Sequence, residues 1–388
     1  MKSRFDCVLG IFPIDWDFLW ARHQELMKGL SEEWKVLYVE PSFNIPKFLK
    51  NIFNKNSYLE LRKFFKGVRK ISENLYIYKP IEFFPFSLRN KFFNILSQRF
   101  LAVMLKPVMK KIKMKMPLLW LSYPKNYRLS NYINYTLLCY DCVDEHSFYH
   151  LKKNFFVENL ENSLIKKSDF VFASSKKLYN KVRSINENSH FVPNGVDNDF
   201  LNFPDKTPEK INNFFNGLKK PVIGYIGALN NWVDYELFEK IISMKSEWSF
   251  VIIGPVIPGN EAKFSKIRRK NNVFYVGSKK HFELPFYLCN FDLCIIVYRL
   301  NELTESILPI KIFEYFAYGK PVVSTKLPEL NEFYGLIQFA SSSEEFVEKM
   351  EFYLDNITSE LIEQMKYTAR TNVWKNKIKK IKKIITNT

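Results

Sequence analysis

The sequence predicts an α/β protein made of two Rossmann-like halves, and three observations carry that expectation. Residues 4–39 read as strand, helix, strand, the opening of a doubly wound sheet. Near Lys220 the chain restarts in the same way, with a strand, a glycine-containing turn and a helix. At 388 residues, 47% of them hydrophobic and 17% aromatic, the chain is long enough for two domains that each bury a core, and too apolar to be disordered. The expected division is residues 1–204, residues 205–370 and a last helix over residues 371–388.

Taken in order, Arg4–Ile11 is the first strand, the polar Asp15–Trp16–Asp17 opens a helix running to about Leu30, and Trp34–Val39 is the second strand. The GIFPIDW turn lacks the glycine-rich dinucleotide fingerprint, which argues against a dehydrogenase. Arg22 and His23 on that first helix either face a ligand or pack the helix. Lys47–Lys70 is basic, aromatic and poorly periodic, a helical excursion with a mobile loop. Asn74–Lys79, Leu118–Ser122 and Thr136–Tyr140 read as strands, with Leu88–Lys115 as one or two helices between them. The chain then reaches YDCVDEHSFYH, where Asp141, Asp144, Glu145, His146 and His150 crowd the loop beyond a strand's end. A carboxylate there, with its pKa raised by burial or by a like charge, could deprotonate a hydroxyl. The alternative is that Asp144 caps the next helix.

Val157–Lys166 and Lys177–Ile185 read as helices around the strand Phe170–Ala173, Pro193–Asn194–Gly195 forces a turn, and Asp205–Lys220 is a polar linker. In the second half Trp248–Ile253, Asn272–Val276 and Phe291–Val297 are strands, and Gly227 lets backbone amides approach a phosphate, with Asn230 and Asn231 supplying polar reach. After Thr325 come a strand near Gly335–Phe339, helices over Ser343–Asn372 and a lysine-rich helix over Trp374–Ile385.

The most informative stretch is Asn301–Thr325, NELTESILPIKIFEYFAYGKPVVST. Pro309 suits a first helical position, Ile310, Phe313 and Ala317 repeat at helical spacing, and Gly319 with Pro321 stops the helix before a buried strand. Lys311 and Glu314 then share one side, and Tyr315 and Tyr318 continue a polar stripe. A cation in the first turn opposes the helix dipole at a cost of roughly 0.3–1 kcal/mol, unless an anion such as a phosphate is shared there. Glu314, one turn deeper, has the reach to accept from a vicinal diol such as a ribose. An ordinary Lys–Glu pair on a solvated face produces the same pattern, so the residues alone leave both readings open.

PIKIFEYFAYGKPVVST resembles the nucleotide-sugar segment of GT-B glycosyltransferases of family four and its relatives, among them enzymes assigned to teichuronic acid and exopolysaccharide synthesis. PNGVD at Pro193–Asp197 resembles the passage between their domains, and DWDFLWARHQELMKGL their first-helix region. The resemblance implies two Rossmann-like domains facing a central cleft, the first binding acceptor, the second a nucleotide sugar, with the C-terminal helix crossing back to the first. It implies sugar transfer to a glycan or lipid-linked acceptor in cell-surface polysaccharide synthesis. No metal and no cofactor is implied beyond the nucleotide-diphosphate sugar as co-substrate. On the donor side it implies Glu314 on the ribose, Gly227 and Asn231 in the first donor-domain loop and Gly277 near the base; Lys311 and Arg299 would meet the phosphates. On the acceptor side Asp144 stands ahead of its neighbours, with His146 next. Where the family often has a second Glu eight positions before the first, this sequence has Ser306, with Glu305 beside it. Retention or inversion therefore stays open, as do a non-catalytic nucleotide-sugar-binding subunit and a GT-B epimerase.

The net charge is +18, with a pI near 9.4, which calls for an anionic partner or surface. Between Phe83 and Tyr140 there is no acidic residue, while Arg89, Lys91, Arg99, Lys106, Lys110, Lys111, Lys113, Lys115, Lys125 and Arg128 alternate with Phe84, Phe86, Phe92, Phe93, Phe100, Leu101, Met104 and Leu105. Such a mixture suits docking on an anionic membrane, and nucleic acid lacks any supporting motif. No segment reaches the ~18 apolar residues of a membrane span, and Asp6 and Pro13 interrupt what would be a signal peptide. Five cysteines fit a reducing cytoplasm; Cys139 and Cys142 form a C-x-x-C inside a strand, where a redox pair would start a helix. The expected location is cytoplasmic, peripheral on the inner face of the cell membrane.

Overall fold

The computed structural model describes residues 5–50, 61–62, 64–84, 86–148, 153–202 and 206–387. It divides into a first unit, Met1–Pro193 with Ile378–Thr388, and a second, Asn194–Lys377. The division falls inside the PNGVD turn, upstream of the expected boundary at residue 204. The expected linker Asp205–Lys220 is not bare chain: Glu209–Asn216 is a helix whose Phe215 joins the core of the second unit.

The first unit holds β1 (Cys7–Ile11), β2 (Lys35–Val39), β3 (Phe43–Asn44), β4 (Arg69–Lys70), β5 (Leu75–Tyr78), β6 (Ile81–Glu82), β7 (Leu118–Leu121), β8 (Leu137–Cys142), β9 (Phe170–Ala173) and β10 (Ser189–Phe191). Its main sheet has the order β10-β9-β8-β7-β1-β2-β5-β4, parallel except for β4 on β5, and β3 pairs with β6 apart from it. The central strands β1, β7, β8 and β9 are buried along their whole length, as near-continuous apolar runs in a parallel sheet require.

The second unit holds β11 (Val222–Ile226), β12 (Ser249–Ile253), β13 (Val273–Gly277), β14 (Leu293–Ile296), β15 (Val322–Thr325) and β16 (Ile337–Ala340). These form one sheet in the order β13-β12-β11-β14-β15-β16, with every pairing parallel. Among the parallel strands of each unit the order reverses once, between β1 and β7 and between β11 and β14. Ligands of doubly wound sheets bind outside the carboxyl ends of the strands at that reversal.

The helix expected from Asp15 begins only at Arg22 and runs to Leu30. The acidic cluster before it is used otherwise: Asp15 pairs with Lys79 at 2.6 Å, Asp17 with Arg69 at 2.7 Å, and Trp16 N donates to Glu40 at 2.9 Å. Residues 51–60 and 63 of the Lys47–Lys70 excursion, and His150, lie outside the described residues. Leu88–Lys115 resolves into one helix, Lys91–Lys111, capped by Asn90.

The last helix, Trp374–Thr386, spans the end of one unit and the return to the other. Ile378, Ile381 and Ile385 are buried, and Ile378 packs so closely on Gly29 that a Cβ there would collide with it. Lys380 donates to Phe191 O at 2.9 Å and Lys382 pairs with Glu32 and Glu33 at 3.3 and 2.8 Å. Lys380 and Lys382 thus help to dock the helix.

Candidate functional site

In the second unit the informative stretch folds as the short helix Lys311–Ala317, followed by Gly319 at φ +59° and by β15. Every residue of this helix is buried, so neither Lys311 with Glu314 nor Tyr315 with Tyr318 forms a solvated stripe. Tyr315 instead pins the end of β11, its hydroxyl accepting from Ile226 N at 3.0 Å. Tyr318 donates to Asn202 O at 3.2 Å. Asn194, from the PNGVD turn, donates to Leu308 O at 2.8 Å and so fixes the approach to the helix.

Lys311 and Glu314 do not pair with each other. Lys311 is 8% exposed, and its ammonium makes no hydrogen bond. It lies over the rings of Tyr225, 4.4 Å from the centroid, and Tyr298, at 5.1 Å. It also abuts Gly227, which follows β11 at φ +146°; a Cβ at Gly227 would collide with the ammonium. A Cβ at Gly254 would likewise strike Gly227 O, so the two turns approach backbone to backbone. Two ring faces supply part of what water would give a cation, yet a lysine this buried is ordinarily paired. Burial pushes its pKa down to about 7, against an upward pull from Glu314. Such a group is a ready ligand for an anion.

Glu314, also buried, faces His281, whose Nε2 is 3.2 Å from its Oε1. His281 stacks on Phe200 at 4.8 Å between centroids. Gly277, at the end of β13 with φ +75°, has open space where a Cβ would point. Gly227 and Tyr298 follow β11 and β14, the pair at which the strand order reverses. Of the expected donor-side residues, Gly227, Lys311 and Glu314 therefore converge. Asn231 is exposed, with Lys263 3.5 Å from its side-chain oxygen. Arg299 is half-buried, its charge felt by the Tyr235 phenol. Ser306 is buried and donates to Leu303 O at 2.7 Å, so no second carboxylate occupies that position.

In the first unit, the cluster after β8 separates by role. Asp141 is fully buried and receives three hydrogen bonds of 2.8–3.1 Å from Arg22, which also donates to Val192 O at 2.7 Å. Arg22 and His23 thus pack the helix into the unit. Burial pushes His23 down to about 3. Glu145 is tied to Lys181 at 2.6 Å and to Ser147 at 2.9 Å. His146 is 3% exposed, edge-on to Tyr123 at 5.1 Å, and burial pushes its pKa down to about 4. A proton-transfer role for His146 would require this loop to open. Asp144 is half-buried, and the next α-helix, Phe155–Lys167, is capped by Asn154. Among the described residues, no group of three or more His, Cys, Asp or Glu is arranged to hold a metal ion.

The chain resembles solved structures over nearly its whole length. A sucrose-phosphate synthase from Thermosynechococcus elongatus matches with TM-score 0.73 at 13% identity, covering 98% of both chains. Anabaena Alr3699/HepE in complex with UDP matches with TM-score 0.70 at 13% identity, covering 98% of this chain and 100% of that one. A glycosyltransferase from Rickettsia africae matches with TM-score 0.66 at 14% identity, covering 99% and 98%. The fold is GT-B.

Within this GT-B chain, residues 220–356 match the family model described as Glycosyl transferases group 1. The chain is 26% identical over 226 residues to TuaH of Bacillus subtilis (strain 168), provisionally named a teichuronic acid biosynthesis glycosyltransferase. That match covers 55% of this chain and 56% of TuaH, so it spans little more than half of either. Lys311 and Glu314 both lie inside the matched domain, as do Tyr225, Tyr298 and His281, which sequence reasoning did not single out. Tyr225 and Tyr298 sit in or beside apolar strands and carry no local sign of facing a cation. His281 lay four residues past the noted Gly277, and only its contact with Glu314 marks it.

Proposed function

We propose that the protein is a glycosyltransferase that moves a sugar from a nucleotide-diphosphate sugar to a glycan or lipid-linked acceptor in cell-surface polysaccharide synthesis. The observation that carries this reading is the buried Lys311 ammonium, without a hydrogen-bond partner, at the Gly227 turn. In transfer, the bond from the anomeric carbon to the diphosphate breaks, a bond to the acceptor oxygen forms, and the nucleoside diphosphate leaves with growing negative charge. Lys311 meets that charge in a site shielded from water, where a fixed cation is most effective. Glu314 accepts from the ribose, Gly277 gives backbone access to the base, and Arg299 and Asn231 serve the rim. The proposal assigns no metal to the diphosphate, and activity that survives chelation checks this part. The UDP complex of Alr3699/HepE and the group 1 match of residues 220–356 support the donor class.

The first unit then takes the acceptor, with Asp144 as base if the anomeric centre inverts. Thermal stabilisation by a panel of nucleotide sugars tests the donor reading, with about 2.7 kcal/mol expected at a hundredfold excess over Kd. Stabilisation by none of them overturns it. Transfer to lipid-linked glycan separates a transferase from a binding subunit, and product analysis exposes an epimerase.

The location we propose is peripheral, on an anionic membrane face. Phe86, Phe92 and Val103 are 62%, 63% and 63% exposed, with Arg89, Lys91, Arg99, Lys106, Lys110 and Lys111 exposed around them. Leu101 and Leu105 face the core instead, Lys125 pairs with Glu82 at 2.7 Å, and Arg128 donates to Asn94 at 2.6 Å, so these do not contribute. Among the described residues no helix is long and apolar enough to cross a membrane.

A further inference from the structure

We propose that His281 is a positioning residue that holds the Glu314 carboxylate for recognition of the vicinal diol of a ribose, an inference that rests on the nucleotide-sugar reading of this site. Glu314 projects from a helix buried on all sides, where a free carboxylate would be costly and would turn toward any available donor. The donor it meets is His281, at 3.2 Å on Oε1. Among the described residues, Oε2 accepts no hydrogen bond.

The imidazole is itself held. Its face stacks on Phe200 with an interplanar angle of 27°, and Phe200 meets Tyr318 edge-on at 5.7 Å. Phe200 and Tyr318 are buried, and Tyr318 is anchored through its hydroxyl to Asn202 O. A rigid column of Tyr318, Phe200 and His281 thus ends on one oxygen of Glu314 and fixes the torsion of its carboxylate, leaving the second oxygen for a ligand. Side-chain exposure narrows from 18% at His281 to 9% at Glu314, consistent with a carboxylate set at the floor of a recess. A polar group held by packing and by a second hydrogen bond is the condition for selective recognition. A nucleotide lacking the diol would leave that oxygen unpaired.

The test compares binding of UDP, ADP, GDP and CDP, each beside its 2′,3′-dideoxy form, to the full chain and to two variants. His281→Phe keeps the stack on Phe200 and removes the hydrogen bond; His281→Gln keeps a donor and loses the aromatic face. For the nucleotide it binds best, the unaltered chain should favour the ribose form by about 10- to 100-fold, the range of a hydrogen bond to a charged group. His281→Phe should bring that ratio to within about threefold by weakening the ribose form alone, and His281→Gln should retain most of it. A folded His281→Phe with undiminished ribose preference, or one that loses both forms equally, overturns the proposal and leaves the nucleotide-sugar reading standing. No ribose preference in the unaltered chain overturns both. If His281→Phe does not fold, His281→Ala takes its place, since it also removes the donor to Glu314: loss of the ribose preference with dideoxy affinity unchanged supports the positioning role, and an undiminished preference or an equal fall in both affinities overturns it.

Discussion

With Lys311 as the proposed partner of the diphosphate, donor binding should weaken as pH rises. The Lys311 ammonium is held at about 7, against the ordinary 10.5, because burial removes its hydration faster than Glu314 restores it. The folded state therefore prefers the neutral amine. Below pH 7 the penalty is fully present, between pH 7 and 10.5 it shrinks, and above both values it is gone. At neutral pH that is about 4 kcal/mol against the free protein, at about 1.4 kcal/mol for each pH unit of depression. A bound diphosphate reverses the preference, since its charge beside the ammonium favours the protonated form. Binding above pH 7 must then take up a proton, and affinity must fall as pH rises.

For a site that binds only with Lys311 charged, affinity at pH 8.5 should be roughly fifteenfold weaker than at pH 7, with about one proton taken up per site at the higher pH. The Cys294 thiol and Tyr225 phenol beside it are pushed upward by burial, away from this window. A nucleotide sugar is a fully ionised diphosphate diester there, so the slope reports the protein. Calorimetry in two buffers of different ionisation enthalpy reads both quantities. The companion variant, Lys311→Met, should abolish the slope and donor binding while raising the stability of the free protein, because it removes a buried cation that lacks a partner. A flat affinity from pH 7 to 9 with no proton uptake would falsify the assignment of Lys311 to the diphosphate.

Glu314→Gln should weaken nucleotide binding by about 1.5–3 kcal/mol with little change in unfolding midpoint, and equal affinity in a folded variant would reject its ribose role. Asp141→Asn leaves the buried Arg22 charge without its carboxylate and should cost about 3–5 kcal/mol in denaturant unfolding, whereas a neutral outcome would show that the pair is solvated. Asp144→Asn should lower turnover by around 10²–10⁴ with donor affinity intact if Asp144 is the base; near-normal turnover would remove it from the chemistry. Flotation with anionic vesicles should succeed at low salt and fail as salt rises, each surface lysine or arginine contributing about 1 kcal/mol; binding to neutral vesicles as strong as to anionic ones would exclude the electrostatic mode.

What the sequence revealed of the fold was its repetition. Buried parallel strands advertise themselves as apolar runs, and β9 coincides residue for residue with the expected Phe170–Ala173. Errors arose where polar residues have two uses. Asp15, Trp16 and Asp17 look like a helix start, but Arg69 in β4, and Lys79 and Glu40 just beyond β5 and β2, claim them. The Asp205–Lys220 stretch looks like a linker because only Phe215 of its helix is buried, with Ile211 and Phe214 packing partly exposed against the core.

The site was legible to the same degree. A lysine and a glutamate three residues apart announce either an ion pair or a binding site, and local spacing cannot decide between them. The fold separates the two charges: Tyr225 and Tyr298, in and beyond the strands that meet at the reversal, take the lysine, and His281, in the turn after β13, takes the glutamate. Dividing the two charges among different neighbours prevents them from neutralising each other. One oxygen of the carboxylate is met by His281, while the ammonium is only partly compensated by two ring faces. That residual demand is what separates Lys311 from the helix-docking lysines of Trp374–Thr386, and the proposed diphosphate beside Gly227 would meet it.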